Sequence, residues 1–176
     1  MVLTNTNIDT LKFFLKQALL DEWRRQGHFE SGKIVEEIDY EIERDFGRTS
    51  LIAKMYPYGI YIEKGVAAAN IPFSPGSGVR KSKYIAALMS YAARRITGGD
   101  LVRAKSVAFA IAHKQKREGM PTRGSYRFSS TGKRTGWIND ALEKNKDKIG
   151  EYVRQFYREF MTAEMESVLN RNIKAV

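Results

Sequence analysis

Residues 34–56 read IVEEIDYEIERDFGRTSLIAKMY, and this stretch decides the fold class. Ile38, Tyr40 and Ile42 alternate with Glu37, Asp39, Glu41 and Glu43. An apolar and an acidic residue at every second position is the pattern of a strand with one buried and one wet face. Gly47 sits in a turn over 45–49, and residues 50–56 return to β-prone composition. The stretch therefore predicts an antiparallel hairpin. Four carboxylates on one strand face repel each other. They read as a solvated or partner-facing acidic stripe, not as acid/base chemistry.

Helices flank this hairpin. Upstream, Leu11, Phe14, Leu15, Ala18, Leu19 and Trp23 recur at three- and four-residue spacing, which predicts a helix over 7–26. Asn7 or Thr6 caps its start and Gly27 its end. His28 then stands in a helix-exit turn, where a structural role outweighs a ligand role. Downstream, residues 58–65 read YGIYIEKG and predict a third short strand ending in glycine. Residues 71–78, IPFSPGSG, predict a loop.

A helical hairpin follows. Ser82 caps a helix running to Ile96. Gly98 and Gly99 stop it. Asp100 caps the next helix, 101–118, which Gly119 and Pro121 end. Alanines on both helices favour close approach. Residues 119–136 hold four glycines, six Ser/Thr and four basic residues, which predicts a long mobile loop. From Trp137 to Asn172 the apolar spacing is helical again. Such a helix spans about 50 Å, unless Gly150 breaks it. The sum is an α+β fold: a small antiparallel sheet packed by helices, a helical hairpin and a long C-terminal helix. The expected organisation is one domain over 1–176. It comprises a helix-plus-hairpin core at 7–65, a basic helical hairpin at 80–118, which the resemblance named below implies is an insertion, the loop at 119–136 and the helix at 137–172.

Composition removes several chemistries. The 176 residues include no cysteine, so there is no disulfide framework, thiolate zinc site or cysteine nucleophile. His28 and His113 are the only histidines, and no HExxH pair exists. His113 lies beside Lys114 and near Lys116, a poor setting for a cation. No glycine loop has phosphate-binding spacing. No apolar run reaches the roughly 18 residues a membrane span needs. The opening residues, MVLTNTNIDTLKFF, lack the basic-then-apolar order of an export signal. No catalytic residue, metal ligand or cofactor is implied. The nearest approach to an enzyme site is Glu63–Lys64, and neighbouring strand residues point to opposite faces.

Charge is the strongest functional signal. Residues 1–79 carry 9 basic and 11 acidic side chains, residues 80–134 carry 14 and 2, and residues 135–176 carry 7 and 7. The whole excess of the net +10 lies in one central block. Its field attracts polyanions over a Debye length of about 8 Å. The candidate DNA-facing or inter-subunit residues are Arg80, Lys81, Lys83, Arg94, Arg95, Arg103, Lys105, Lys114, Lys116, Arg117, Arg123, Tyr126, Arg127, Phe128, Lys133 and Arg134. Tyr126 and Phe128 interleave with the basic residues of the loop. That pattern suits phosphate pairing with stacking, and equally an arm that seats aromatics on a neighbouring subunit. Glu37, Asp39, Glu41 and Glu43 form the candidate acidic subunit contact. An acidic and a basic patch on one chain favour head-to-tail association.

Two segments carry a resemblance. Tyr58-Gly-Ile-Tyr-Ile-Glu63-Lys-Gly65 is similar to a Tyr-Ala-x-Tyr-Val-Glu-x-Gly-Thr motif. Gly136-Trp137-Ile138-Asn139-Asp140-Ala141-Leu142 is similar to Arg-Pro-Phe-Leu-x-x-Ala-Leu. In this order, after a leading helix and a hairpin, they resemble the tail-completion or neck proteins of tailed bacteriophages, over residues 7–65 and 119–155. The chain has Gly65-Val66 where Gly-Thr is common, and Thr135-Gly136-Trp137-Ile138 in place of Arg-Pro-Phe-Leu. The resemblance implies an α+β fold and a non-enzymatic structural subunit of a virion ring at the head–tail junction. Its partners would be identical subunits, portal, adaptor or tail proteins, and DNA passing through the lumen without sequence preference. It implies no membrane, and a place in the virion after assembly in the host cytoplasm. A free-standing, sequence-independent nucleic-acid-binding protein is the alternative, although no helix-turn-helix, zinc knuckle or RRM signature is visible.

Overall fold

The computed structural model describes residues 6–28, 37–45, 48–76 and 82–173. Their order is α1 (Thr6–Arg25), β1 (Asp39–Asp45), β2 (Arg48–Lys54), α2 (Tyr58–Lys64), a 3₁₀ turn (Ala68–Asn70), α3 (Lys83–Arg95), α4 (Leu101–Glu118), a 3₁₀ helix (Arg123–Phe128) and α5 (Trp137–Ile173). The fold is α+β, with a two-stranded antiparallel sheet and a long C-terminal helix. The chain divides into two compact units. One is Met1–Tyr56 with Gly136–Val176, here the frame. The other is Pro57–Thr135, the inserted unit. The insertion thus runs wider than the helical hairpin at 80–118 that the sequence suggested.

In the frame, α1 ends as its sequence dictates. Gly27 takes φ +75°, the Gly27 N–H donates to the Arg24 carbonyl at 2.9 Å, and the His28 N–H donates to the Trp23 carbonyl at 3.1 Å. This pair of bonds is a Schellman cap. The His28 ring lies 4.7 Å from that of Trp23, so His28 serves the helix exit. In the hairpin, β1 pairs with β2 from Asp39↔Lys54 to Asp45↔Arg48. Alternation holds: Ile38 is buried while Glu37, Asp39, Glu41 and Glu43 are exposed. Lys54 crosses the ladder to pair with Glu41. That hydrogen bond, with the fields of Asp39 and Glu43, raises the Lys54 pKa above its usual value.

α1 runs antiparallel to α5. Trp23 meets Trp137 edge-to-face at 5.0 Å, Gln26 donates to Asp140 at 3.4 Å, and Phe14 meets Tyr152 at 5.2 Å. Glu22, buried at 2% exposure, is held by Lys144, Arg25 and Gln26. α5 continues unbroken through Gly150 for 37 residues. By the pairing above, Thr6 stands near residue 160, so the last dozen residues of α5 extend about 20 Å past the start of α1.

In the inserted unit the expected third strand is a helix. Gly59, Ile62 and Glu63 are the covered positions of 58–64, while Tyr58, Ile60, Tyr61 and Lys64 are exposed. Covered residues at i, i+3 and i+4 have the helical period, and a short apolar run does not separate the two periods by itself. Pro57 suits the first turn, and its carbonyl accepts from the Ile60 N–H at 3.1 Å. Gly65, at φ +73°, ends the helix. α3 and α4 form the predicted hairpin. Ser82 Oγ accepts from Ile85 N, and Asp100 Oδ1 from Arg103 N. Ala92, Ala104, Ala108 and Ala112 are fully buried. Side chains this small let helix axes come close. Ile71, Phe73, Ile85 and Ala112 form a core beside them, and the Phe73 ring packs edge-on against His113 at 4.8 Å.

Residues 119–136, expected as a mobile loop, carry local order. Val66 and Met120 exchange both backbone hydrogen bonds, at 2.7 and 2.8 Å. The Ser125 hydroxyl donates to the Thr122 carbonyl, and the Ser129 and Thr131 hydroxyls accept backbone N–H groups at 3.2 and 3.3 Å. The Ser/Thr content that suggested mobility instead builds side-chain-to-backbone turns. A Cβ on Gly65 would lie 2.7 Å from the Met120 oxygen, and one on Gly119 would lie 2.6 Å from the Val66 oxygen. Gly65→Ala or Gly119→Ala should each cost at least about 2 kcal/mol, from positive-φ strain plus the carbonyl clash. Gly98→Ala, at φ +59° with open space around it, should cost about 1 kcal/mol. Urea unfolding of the three variants measures the contrast.

Tyr40 generates a pH prediction. Its hydroxyl is buried with no hydrogen-bond partner among the described residues, and burial raises its pKa above the usual tyrosine value of 10.0. The folded state therefore prefers the neutral phenol. Its stability is intact below pH 10 and falls as pH rises through the raised value. Tyr40→Phe removes an unsatisfied buried polar group. It should raise stability by up to about 1 kcal/mol at neutral pH and reduce the alkaline loss, read from thermal melts at pH 8 to 11.

Candidate nucleic-acid interface

The inserted unit contains 15 Lys and Arg against 3 Asp and Glu, net +12, whereas the frame is net −2. Charge asymmetry in sequence is thus asymmetry between structural units. The carboxylates Asp100 and Glu118 serve local structure. Asp100 caps α4, and Glu118 accepts the Arg123 N–H at 2.9 Å and lies 4.0 Å from Lys114.

The helices fix where the cations point. On α3, Lys83, Ala87, Ser90 and Arg94 are exposed at i, i+4, i+7 and i+11, one outer stripe with a cation at each end. Arg95 is exposed in the last turn, where the helix dipole favours positive charge. On α4, Arg103, Lys114 and Arg117 sit within about 60° of each other, away from the buried alanine seam. They span about 21 Å along the axis. Lys105 is exposed but lies at least about 120° around the axis from that stripe, so it is not part of it. Lys116 turns elsewhere. Its ammonium donates to the Ala69 carbonyl at 3.3 Å and the Ile71 carbonyl at 3.1 Å, pinning the 3₁₀ turn to α4. Lys116 is a structural group.

Arg123, Arg127 and Lys133 are exposed beyond α4. The Arg127 guanidinium lies 4.7 Å over the Phe128 ring, a cation–π pair. Phe128 remains 55% exposed and Tyr126 40%. Arg134 is half-buried. Burial lowers its pKa from the usual arginine value, and Tyr91, Tyr58 and Tyr126 lie near enough to act in the opposite direction. Arg134 is therefore not one of the fully solvent-facing cations. Arg80 and Lys81 lie outside the described residues. The acidic candidates Glu37, Asp39, Glu41 and Glu43 belong to the frame and form one exposed face.

The sequence reading missed Tyr58 and Tyr61, both 56% exposed, and Ile60, 51% exposed, because it placed them on a strand. The signal was present in the helical spacing of Gly59, Ile62 and Glu63. Among the described residues, no group of three or more His, Asp or Glu side chains is placed to hold a metal ion. No helix of the described residues is long and apolar enough to cross a membrane.

This arrangement offers a polyanion two cationic stripes and a cationic loop, with few local carboxylates to oppose it. Replacing Arg103, Lys114 and Arg117 together by alanine should weaken duplex DNA binding similarly for all sequences. It should lower the slope of log affinity against log salt by about 2 to 3 units. Anisotropy titrations across a salt series measure both quantities. No family model matches the chain, no curated protein is similar to it, and no solved structure matches it.

Proposed function

We propose that this chain is a structural subunit of a ring at the head–tail junction of a tailed bacteriophage, a neck, connector or tail-completion protein around the DNA path. The observation that carries the reading is the segregation of charge: net +12 on the inserted unit against −2 on the frame. A ring subunit needs one surface for DNA and others for its neighbours. The inserted unit supplies the first without a base-reading element. The acidic face of β1 supplies a candidate for the second. The order of the motifs agrees: Tyr58–Gly65 opens the inserted unit, and Gly136–Leu142 resumes the frame. Trp137, in the second motif, is fully buried against Trp23.

A free-standing nucleic-acid-binding protein would use the same basic unit, and assembly separates the two. Mass photometry of the purified protein with portal-bearing heads, followed by electron microscopy, should place it in a symmetric ring on the head–tail axis. Any other location, or a particle complete without it, would refute the reading. Within the ring reading, Glu37→Lys with Glu41→Lys should weaken assembly at physiological salt. The monomer should stay folded, because both side chains are exposed and the Glu41–Lys54 pair is a solvent-exposed ion pair.

A further inference from the structure

The Val66–Met120 bridge brings the end of α2 to the start of the segment holding the Arg123–Phe128 helix, within one unit. Gly65 lies against Thr135 as well, since a Cβ there would stand 3.4 Å from the Thr135 methyl. The unit carries exposed rings from Tyr58, Tyr126 and Phe128, with Arg127 stacked on Phe128, and Tyr58 and Tyr126 both lie near Arg134. We infer that these three rings and Arg127 form a stacking platform for single-stranded nucleic acid, distinct in chemistry from the phosphate-binding stripes of α3 and α4.

The inference rests on the reading of the inserted unit as nucleic-acid-facing and extends it. Exposed aromatic rings are costly in water unless a ligand covers them. Duplex DNA hides its base faces, so it satisfies the cations and leaves the rings wet. An unpaired strand offers phosphates and π-faces together, and stacking on aromatic side chains is worth about 1 to 3 kcal/mol per base. A protein partner would also cover rings, but it must bring carboxylates to a unit of net +12 that holds only three acids of its own. Nucleic acid meets both demands with one chain. Stacking is indifferent to base identity, so the platform needs no sequence preference.

The test uses the full chain and two fluorescent probes, an oligo-dT of about 12 nucleotides and a random duplex of equal length. Tyr126→Ala with Phe128→Ala should weaken oligo-dT binding at least about tenfold and duplex binding less than about twofold. Phe128→Tyr alone should retain oligo-dT affinity, since it keeps the ring. Both variants should melt like the parent, because the side chains removed are exposed. Duplex binding by the parent with no selective oligo-dT loss in the double variant would overturn the platform and leave the basic interface standing. Absence of binding to either probe would overturn both. Loss of self-association in the double variant, with oligo-dT affinity unchanged, would make the rings a subunit contact and overturn the inference.

Discussion

Two backbone hydrogen bonds between Val66 and Met120 hold the inserted unit together in a way its side chains alone do not. They join a point just after α2 to a point just after α4, across more than fifty residues of chain. Both flanks of the contact are glycines at positive φ, Gly65 and Gly119, and each lies so close to the opposite strand that a Cβ would strike a carbonyl oxygen. The requirement is steric before it is chemical. Once the bridge forms, the end of α2 lies beside Met120, and Met120 packs on the core of Ile71, Phe73 and Ile85 next to the alanine seam of α3 and α4. On α4, Arg103, Lys114 and Arg117 point outward because the inward positions are taken by alanines.

The frame rests on a different kind of contact. Trp23 and Trp137 meet edge-to-face, and a buried carboxylate, Glu22, lies between two cations and an amide one turn away. A buried charge tolerates this only because its partners come from both helices. The same geometry fixes the register of α1 along α5. It leaves the last part of α5 without α1 beside it, where Met161, Met165, Val168 and Leu169 are half or more exposed.

Much of this was legible in the sequence. Period-two alternation found the hairpin and its acidic face. Capping residues found both ends of the helical hairpin, and Gly27 found the end of α1. Residues 58–65 were misread because a run of tyrosine and isoleucine satisfies strand and helix alike until one knows which positions are covered. At 119–136 the composition did not reveal the local order, because Ser125, Ser129 and Thr131 hydroxyls bond to nearby backbone. The basic block was plain from counting, but Lys116 and Arg134 could not be told from the solvent-facing cations. Their roles depend on the Ala69 and Ile71 carbonyls and on Tyr58, Tyr91 and Tyr126, which only the fold brings near.

Confining the charge to one unit has an energetic consequence. Like charges on a compact body repel, and the repulsion opposes folding of that body. Spread over the whole chain, net +10 would be diluted by the frame's own carboxylates. Concentrated in the inserted unit, it falls on a small core of Ile71, Phe73, Ile85 and the alanine seam. A bound polyanion relieves the repulsion and by mass action stabilises the state it binds. The near-neutral frame escapes this burden and can hold the tryptophan contact at any ligand occupancy. A bound polyanion would therefore change the stability of the inserted unit and leave that of the frame nearly untouched.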